Sequence, residues 1–331
     1  MQRLGTLDRE QWTVLDPDDQ PLQALLDAGL ALARDDCRPC AGVEARLRSG
    51  HWWGLSALLW QQSRWHGQDS VSALAAAGMD RIDGLIGRLG VPPPSASTQV
   101  NGLIALPGSE DTALETLLRN RVTCRNFDPQ ASVSLQQLAA VLWRTVAERG
   151  VLGHDSGASF AKKAVPSAGG LHPTEVYLLV RGVAGLDDGA YHYQPAGHQL
   201  KPHALRGDVL PQACAMRWLA GQYWFADAPV LMVMASRHAR LQWKYREHSK
   251  AWRAAVLDVG HISQALYMAS TELGLGAFVT AAINELDVMT DLGLAEFSDE
   301  PLAIAGFGQR AAQRVIAELD PSGAVWPAVS N

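Results

Sequence analysis

The chain has no run of eighteen apolar residues, so no membrane-spanning helix is expected. It also has no basic block. Acidic residues number 34 against 28 Lys and Arg, and the net charge of −6 argues against nucleic acid or an anionic membrane as partner. The N-terminal stretch MQRLGTLDREQW is polar where an export signal would be apolar, so a cytoplasmic location is expected. Four cysteines in 331 residues cannot make a disulfide framework. Cys37 and Cys40 form one CRPC, but neither Cys124 nor Cys214 brings a second pair to complete a zinc site. The CRPC also lacks a preceding strand and a following long helix, so it reads as two ordinary cysteines in a turn and no metal is expected. Phosphate-loop and dinucleotide fingerprints are missing too. GLGAF and GFGQR fall short of the glycine pattern that a Rossmann nicotinamide site needs.

What is present is the composition of a soluble globular protein, 47% apolar and 19% charged, long enough for one large domain or two ordinary ones. Residues 88–110, RLGVPPPSASTQVNGLIALPGSE, read as a linker or surface crossing. Before them lie short helical patterns carrying Trp52, Trp53, Trp60 and Trp65, which suit packing more than a peptide-binding face. After them helices and strands mix. Ser134 with Gln137 makes a capping box, and Leu135, Leu138, Leu142 and Val146 form a helical stripe. EVYLLVR, GAYHY, PVLMVMA and PLAIAGFG are strand-like. The longest helical pattern, around residues 255–273, is apolar nearly all round, as in a core or an obligate dimer interface. Without strict βαβ alternation the expected class is α+β with a mainly antiparallel sheet.

Three stretches could carry chemistry. In RVTCRNFD an extended backbone sends Arg121, Thr123 and Arg125 to one side, which suits a phosphate and a second anionic acceptor; a solvated surface strand is the alternative. PSAGGLHP, residues 166–173, puts small residues before a core strand, where something flat or charged can approach the backbone; a tight turn is the alternative. Lys244 and Tyr245 sit together in a cationic stretch and could exchange protons with a substrate, or merely line a charged helix face.

In this order, RVTCRNFD, PSAGGLHPTEVYLLV, GAYHYQPAGHQLKP, KYREHSKAWRAAVLDVGHISQALYMASTELGLGAF and PLAIAGFG resemble the FMN-dependent nitroreductase superfamily. More narrowly, they resemble its SagB-type branch, the dehydrogenases of ribosomal peptide maturation. Residues 1–95 fall outside the classical pattern of that superfamily and read as a mostly helical N-terminal extension, either winged-helix-like and peptide-binding or, the favoured reading, structural only; a linker over 96–110 follows. An FMN-binding nitroreductase-like domain over 111–320 and a tail over 321–331 complete the chain. It implies that Arg121 and Thr123 bind the FMN phosphate and that Arg125 lies near the flavin N1/O2 edge, where positive charge stabilises the reduced anion. Pro166, Ser167, Ala168 and Gly170 would belong to a loop laid over the ring by a second subunit. Gly170 stands where many relatives carry an asparagine. Thr280, Ala281 and Ala282 would face flavin N5, and Arg310 would be a further phosphate contact.

Lys244 and Tyr245 match the pair that helps deprotonate an azoline. The implied reaction is then two-electron dehydrogenation of a modified peptide, azoline to azole, a base taking the Cα proton while hydride passes to flavin N5. A homodimer with composite sites, a peptide substrate and other maturation enzymes are the implied partners. Two alternatives stay open: an NAD(P)H-dependent nitro or quinone reductase, and a non-catalytic flavin-binding or peptide-delivery subunit.

Overall fold

The computed structural model describes residues 13, 14, 16–28, 31, 33, 39–95, 102–108, 110–207 and 210–326. Cys37 and the side chain of Cys40 lie outside the described residues, as does much of the expected linker. The chain opens with helices α1 (Gln20–Asp27), α2 (Pro39–Ser49), α3 (Gly54–Ser63), α4 (Ser70–Ala76), α5 (Ile82–Leu89) and α6 (Ala113–Asn120). Next come β1 (Val133–Ser134), α7 (Leu135–Thr145), the hairpin β2 (Glu148–Gly153) and β3 (Ser159–Lys163), and strands β4 (Thr174–Val180), β5 (Val183–Ala184), β6 (Gly189–Gln194) and β7 (Gln199–His203). Helices α8 (Pro211–Trp218) and α9 (Tyr223–Ala226), β8 (Val230–Arg237), α10 (His238–Lys244) and α11 (Ala251–Glu272) follow. Strand β9 (Gly276–Thr280), α12 (Glu285–Leu292) and β10 (Asp299–Gly308) complete the order.

The main sheet runs β7-β6-β4-β8-β10-β9 and is antiparallel at every pairing. Side chains on successive strand residues point to opposite faces, so each central strand feeds two cores. Val230, Met232 and Met234 of β8 join the layer of α7 and α11, while Leu231, Val233 and Ala235 face α8 and α12. Because both faces are covered, β4, β8 and β10 read as continuous apolar runs, which is why they stood out in the sequence. Each large apolar side chain fully buried this way contributes about 1.5–3 kcal/mol. Gly306 marks where the layers touch, since a β-carbon there would come within 2.4 Å of the Phe278 ring and 2.9 Å of the Val230 carbonyl.

The α+β, mainly antiparallel architecture expected from the sequence is the one found. The capping box is formed: Ser134 Oγ accepts from the Gln137 amide at 3.1 Å, and the Gln137 side chain accepts from the Ser134 amide at 3.0 Å. Helix α11 departs in one respect from a helix buried all round. It leaves Val256 and Leu257 open to solvent at 48% and 56% of their surface, so the described residues of this chain do not cover them.

The N-terminal region is mostly helical, and no strand that could form a wing occurs among its described residues. It is fastened to the rest of the chain. Trp52 and Trp60 are buried with Met289 and Phe297, and Trp52 Nε1 donates to the Phe297 carbonyl at 3.1 Å. Backbone amides of Trp65, Gly67 and Gln68 donate to Glu285, Asp287 and Asn284 at the start of α12. Among the described residues no helix is long and apolar enough to cross a membrane, and no cluster of acidic, His or Cys side chains could hold a metal.

Candidate active site

Helix α6 ends at Asn120, and the chain leaves it extended. Val122 and Cys124 turn inward and are buried, whereas Arg121, Thr123 and Arg125 line up outward, as the alternation requires. The segment is held against β9: the Cys124 amide donates to the Ala277 carbonyl at 2.8 Å, and Thr123 pairs with Ala277 as a parallel bridge. Gly276 permits this approach, because a β-carbon there would lie 2.6 Å from Cys124 Sγ. Burial pushes the Cys124 thiol up to about 12, so it stays a neutral packing group. Tyr267 of α11 supports the strip from below, with its hydroxyl 3.0 Å from Thr123 Oγ1 and its ring 5.2 Å from the Arg121 guanidinium. Among the described residues Arg121 meets no carboxylate, which leaves its charge available to an anion.

Arg125 and Arg310 are placed differently. Arg125 is exposed, donating through Nη1 to the Ala317 carbonyl at 3.0 Å. Arg310 turns inward, with Nη1 2.7 Å from Glu318 Oε2 and Nη2 2.7 Å from the Val122 carbonyl. Glu318 also accepts from the Arg125 and Asn126 amides, Asn126 Nδ2 and Trp326 Nε1. Burial would raise its carboxyl, but those donors and the Arg310 charge hold it below the usual range. Arg310 and Glu318 therefore brace the strip from behind.

The bare loop at 166–173 is equally anchored. Asp258 of α11 accepts from Ser167 Oγ at 2.5 Å and from the Ala168 amide at 3.1 Å, and Ser167 Oγ accepts from the His172 amide at 2.9 Å. Burial lifts the Asp258 carboxyl even though these donors pull it down. Arg240 donates to the Leu171 carbonyl, and the Arg237 amide to that of Pro173. Gly169 and Gly170 adopt φ of 63° and 67°, the left-handed region that glycine enters without cost. A β-carbon on Gly170 would meet open space, so its backbone is accessible to a flat ligand. Pro166 is exposed, and its carbonyl lies 3.2 Å from His261 Nδ1.

Lys244 and Tyr245, where α10 ends, close on this loop. A β-carbon on Gly169 would stand 2.9 Å from Lys244 Nζ and 3.1 Å from the Tyr245 hydroxyl. Thr280 ends β9, with its Oγ1 accepting from the Ala282 amide and donating to Gln222 Oε1, both at 3.2 Å, and with Ala281 exposed. The structure thus brings the loop and the Lys-Tyr pair together, and it brings Arg121 and Thr123 together beside β9. These two assemblies lie apart along α11: Asp258 and Tyr267 are nine residues from each other, about 13 Å at the helical rise. Sequence reasoning missed Asp258, Tyr267 and Glu318. The signal for Asp258 was there, since a lone carboxylate inside an apolar helix must find donors.

The molecule is thus an α+β sandwich whose accessible features are an anion-ready cationic strip, a bare glycine loop and a paired amine and phenol. Residues 118–309 match the family model described as the nitroreductase family. The chain belongs to that family of oxidoreductases. It is 28% identical over 210 residues to "Putative nitroreductase MJ1384" of Methanocaldococcus jannaschii, covering 62% of this chain and 96% of that protein. It is 30% identical over 148 residues to the trifolitoxin-processing protein TfxB of Rhizobium leguminosarum bv. trifolii, covering 43% of this chain but only 38% of that relative. A chain of the E. coli microcin synthetase McbBCD complex, solved with truncated pro-MccB17 bound, shares the fold. Its TM-score is 0.58 at 17% identity, over 80% of this chain and 97% of that one.

Proposed function

We propose that this protein is an FMN-dependent dehydrogenase of a modified ribosomal peptide, of the SagB-type branch, acting as a homodimer with composite sites. The observation that carries the reading is the placement of Lys244 and Tyr245 beside Gly169, so close that a β-carbon there would stand 2.9 Å from Lys244 Nζ and 3.1 Å from the Tyr245 hydroxyl. It joins a proton-handling pair to the loop expected to cover the cofactor. The residues present fit FMN. For a phosphate, Arg121 offers a guanidinium that meets no carboxylate among the described residues, Thr123 offers a hydroxyl, and Arg125 adds a second guanidinium on the same side. Gly170 leaves the space a planar ring requires. When bound, FMN supplies a two-electron acceptor.

The remaining work belongs to the chain. Asp258 fixes the loop through Ser167 and the Ala168 amide, so the exposed backbone keeps its shape. Lys244 Nζ and the Tyr245 hydroxyl take up and relay the proton that leaves the substrate carbon. Two copies are favoured because the anchors of the loop and the strip, Asp258 and Tyr267, stand about 13 Å apart along α11, and Val256 and Leu257, just before Asp258 on that helix, are open to solvent. A second copy would cover them and bring a loop to each strip. The names of the trifolitoxin-processing and microcin relatives support a peptide as substrate and other maturation enzymes as company.

The test compares variants. Lys244→Ala and Tyr245→Phe are expected to retain FMN and lose turnover of an azoline peptide by about 10²–10⁴-fold. Arg121→Ala is expected to release FMN first and to recover partly with excess flavin. Wild-type azoline turnover in both pair variants would remove the proposed role of Lys244 and Tyr245, and nicotinamide-dependent nitro reduction without any peptide turnover would replace this reading by the reductase.

A further inference from the structure

Behind the glycine loop lies a cavity of about 200 Å³, far above the roughly 10–15 Å³ that one water needs. The β2–β3 hairpin, the start of β4 and the β8–α10 junction enclose it. Lys163, 92% buried, reaches this space, and among the described residues no hydrogen bond or ion pair holds its ammonium, although Glu148 faces it across the hairpin ladder. Thr174, 94% buried, lines the same space, and its Oγ1 has no hydrogen-bond partner. A buried hydroxyl left without a partner is costly, and a ligand that reaches it while pairing with the ammonium removes the cost.

The charges choose the sign of that ligand. Lys163, Arg237 and Arg240 face Glu148 and Glu175, three cations against two carboxylates. Glu175 is already engaged by His192 at 3.0 Å and Arg237 at 3.4 Å. Burial and the neighbouring cations depress His172 to about 4, so it adds no charge at neutral pH. One positive charge is left in excess, which suits a monoanion. Val146, Val151, Leu171 and Val176 form apolar walls that suit an aliphatic stem.

We propose that this cavity binds one carboxylate on a short aliphatic stem, paired to Lys163 Nζ and accepting from the Thr174 hydroxyl. The carboxylate belongs either to the peptide substrate, an arm that rests on the function proposed above, or to a free small acid. Leu171 and His172 line the cavity and continue the loop that touches Lys244, so an occupant there sits directly behind the candidate active site.

Butyrate titrated into the purified protein, followed by calorimetry and protein NMR, tests the site. Saturable binding is expected for butyrate, and not for butyramide or for phosphate at equal ionic strength. Lys163→Met should weaken it by about 10- to 100-fold and Thr174→Val by about 2- to 10-fold. The second variant keeps the test open should the first fail to fold. No saturable butyrate binding, equal binding of phosphate, or unchanged affinity in both variants would overturn the proposal.

Peptides with a free acid or an amide at one position then locate the source. A KM advantage of the acid that vanishes in Lys163→Met assigns the carboxylate to the substrate. Butyrate binding that leaves peptide KM untouched assigns it to a free acid. Absence of peptide turnover with butyrate binding intact would sink the function above and leave this site standing.

Discussion

Gly169 and the end of the Lys244 side chain are close neighbours: a β-carbon on Gly169 would lie 2.9 Å from Nζ and 3.1 Å from Cδ, so the lysine would have to shift to make room for it. Gly169→Ala is therefore expected to displace the lysine and to strain a backbone at φ 63°. The backbone cost is about 1–2 kcal/mol, read as a lower midpoint in thermal or urea unfolding. The displaced lysine should lower turnover with FMN content unchanged. Full activity in the alanine variant would mean that Lys244 need not stand where it does.

Removing the loop's anchor should loosen the loop. Asp258→Ala leaves the Ser167 hydroxyl and the Ala168 amide without their acceptor, at a cost of about 1–3 kcal/mol each if they stay buried. Hydrogen–deuterium exchange should rise over residues 167–172 while β4 stays protected. Unchanged exchange would show that the Arg240 and Arg237 contacts suffice.

The brace behind the cationic strip is the costlier one to lose. Glu318→Ala strands Arg310 and removes the acceptor of two backbone amides, so a loss of about 3–5 kcal/mol in unfolding free energy is expected. FMN affinity should fall with it, because Arg125 and its neighbours lose their support. A Glu318 variant of native stability would contradict the bracing role.

Stability should also depend on pH through Glu285. Burial raises its carboxyl from 4.5 to about 7, although the Trp65 amide and the Arg64 charge oppose this. The folded state then holds a proton that the unfolded state releases, so stability falls as pH rises from about 4.5 to about 7. His172, depressed from 6.5 to about 4, works the other way below 6.5. The difference between wild type and Glu285→Gln isolates the first effect: the variant should gain on the wild type as pH rises across that window. A constant difference would refute it.

The strands that were legible in the sequence, β4, β6, β8 and β10, are those whose apolar content announces burial. The β2–β3 hairpin escaped because ERGVLG and SFAKK are polar and glycine-broken, half-exposed strands with no alternation. The same invisibility hid the cavity, whose lysine reads as a surface residue until its burial is seen. Arg121, Thr123 and Arg125 were legible as a row because alternation is a local property. What binds that row from behind was not, since Glu318 lies 192 residues from Asn126 and only folding brings them together. Helix α11 was legible in length and polarity, but which of its apolar residues stay open depends on how the other elements happen to cover it.

Because Asp258 holds the loop and Tyr267 holds the strip, α11 acts as a spacer of fixed length. Inserting or deleting one residue between them would slide one end by about 1.5 Å and swing it by roughly 100°. No side-chain adjustment restores both contacts after such a change. Over evolutionary time the side chains along this interval are free to drift, whereas the count of nine is not. An alignment of descendants should show substitutions there and no gaps.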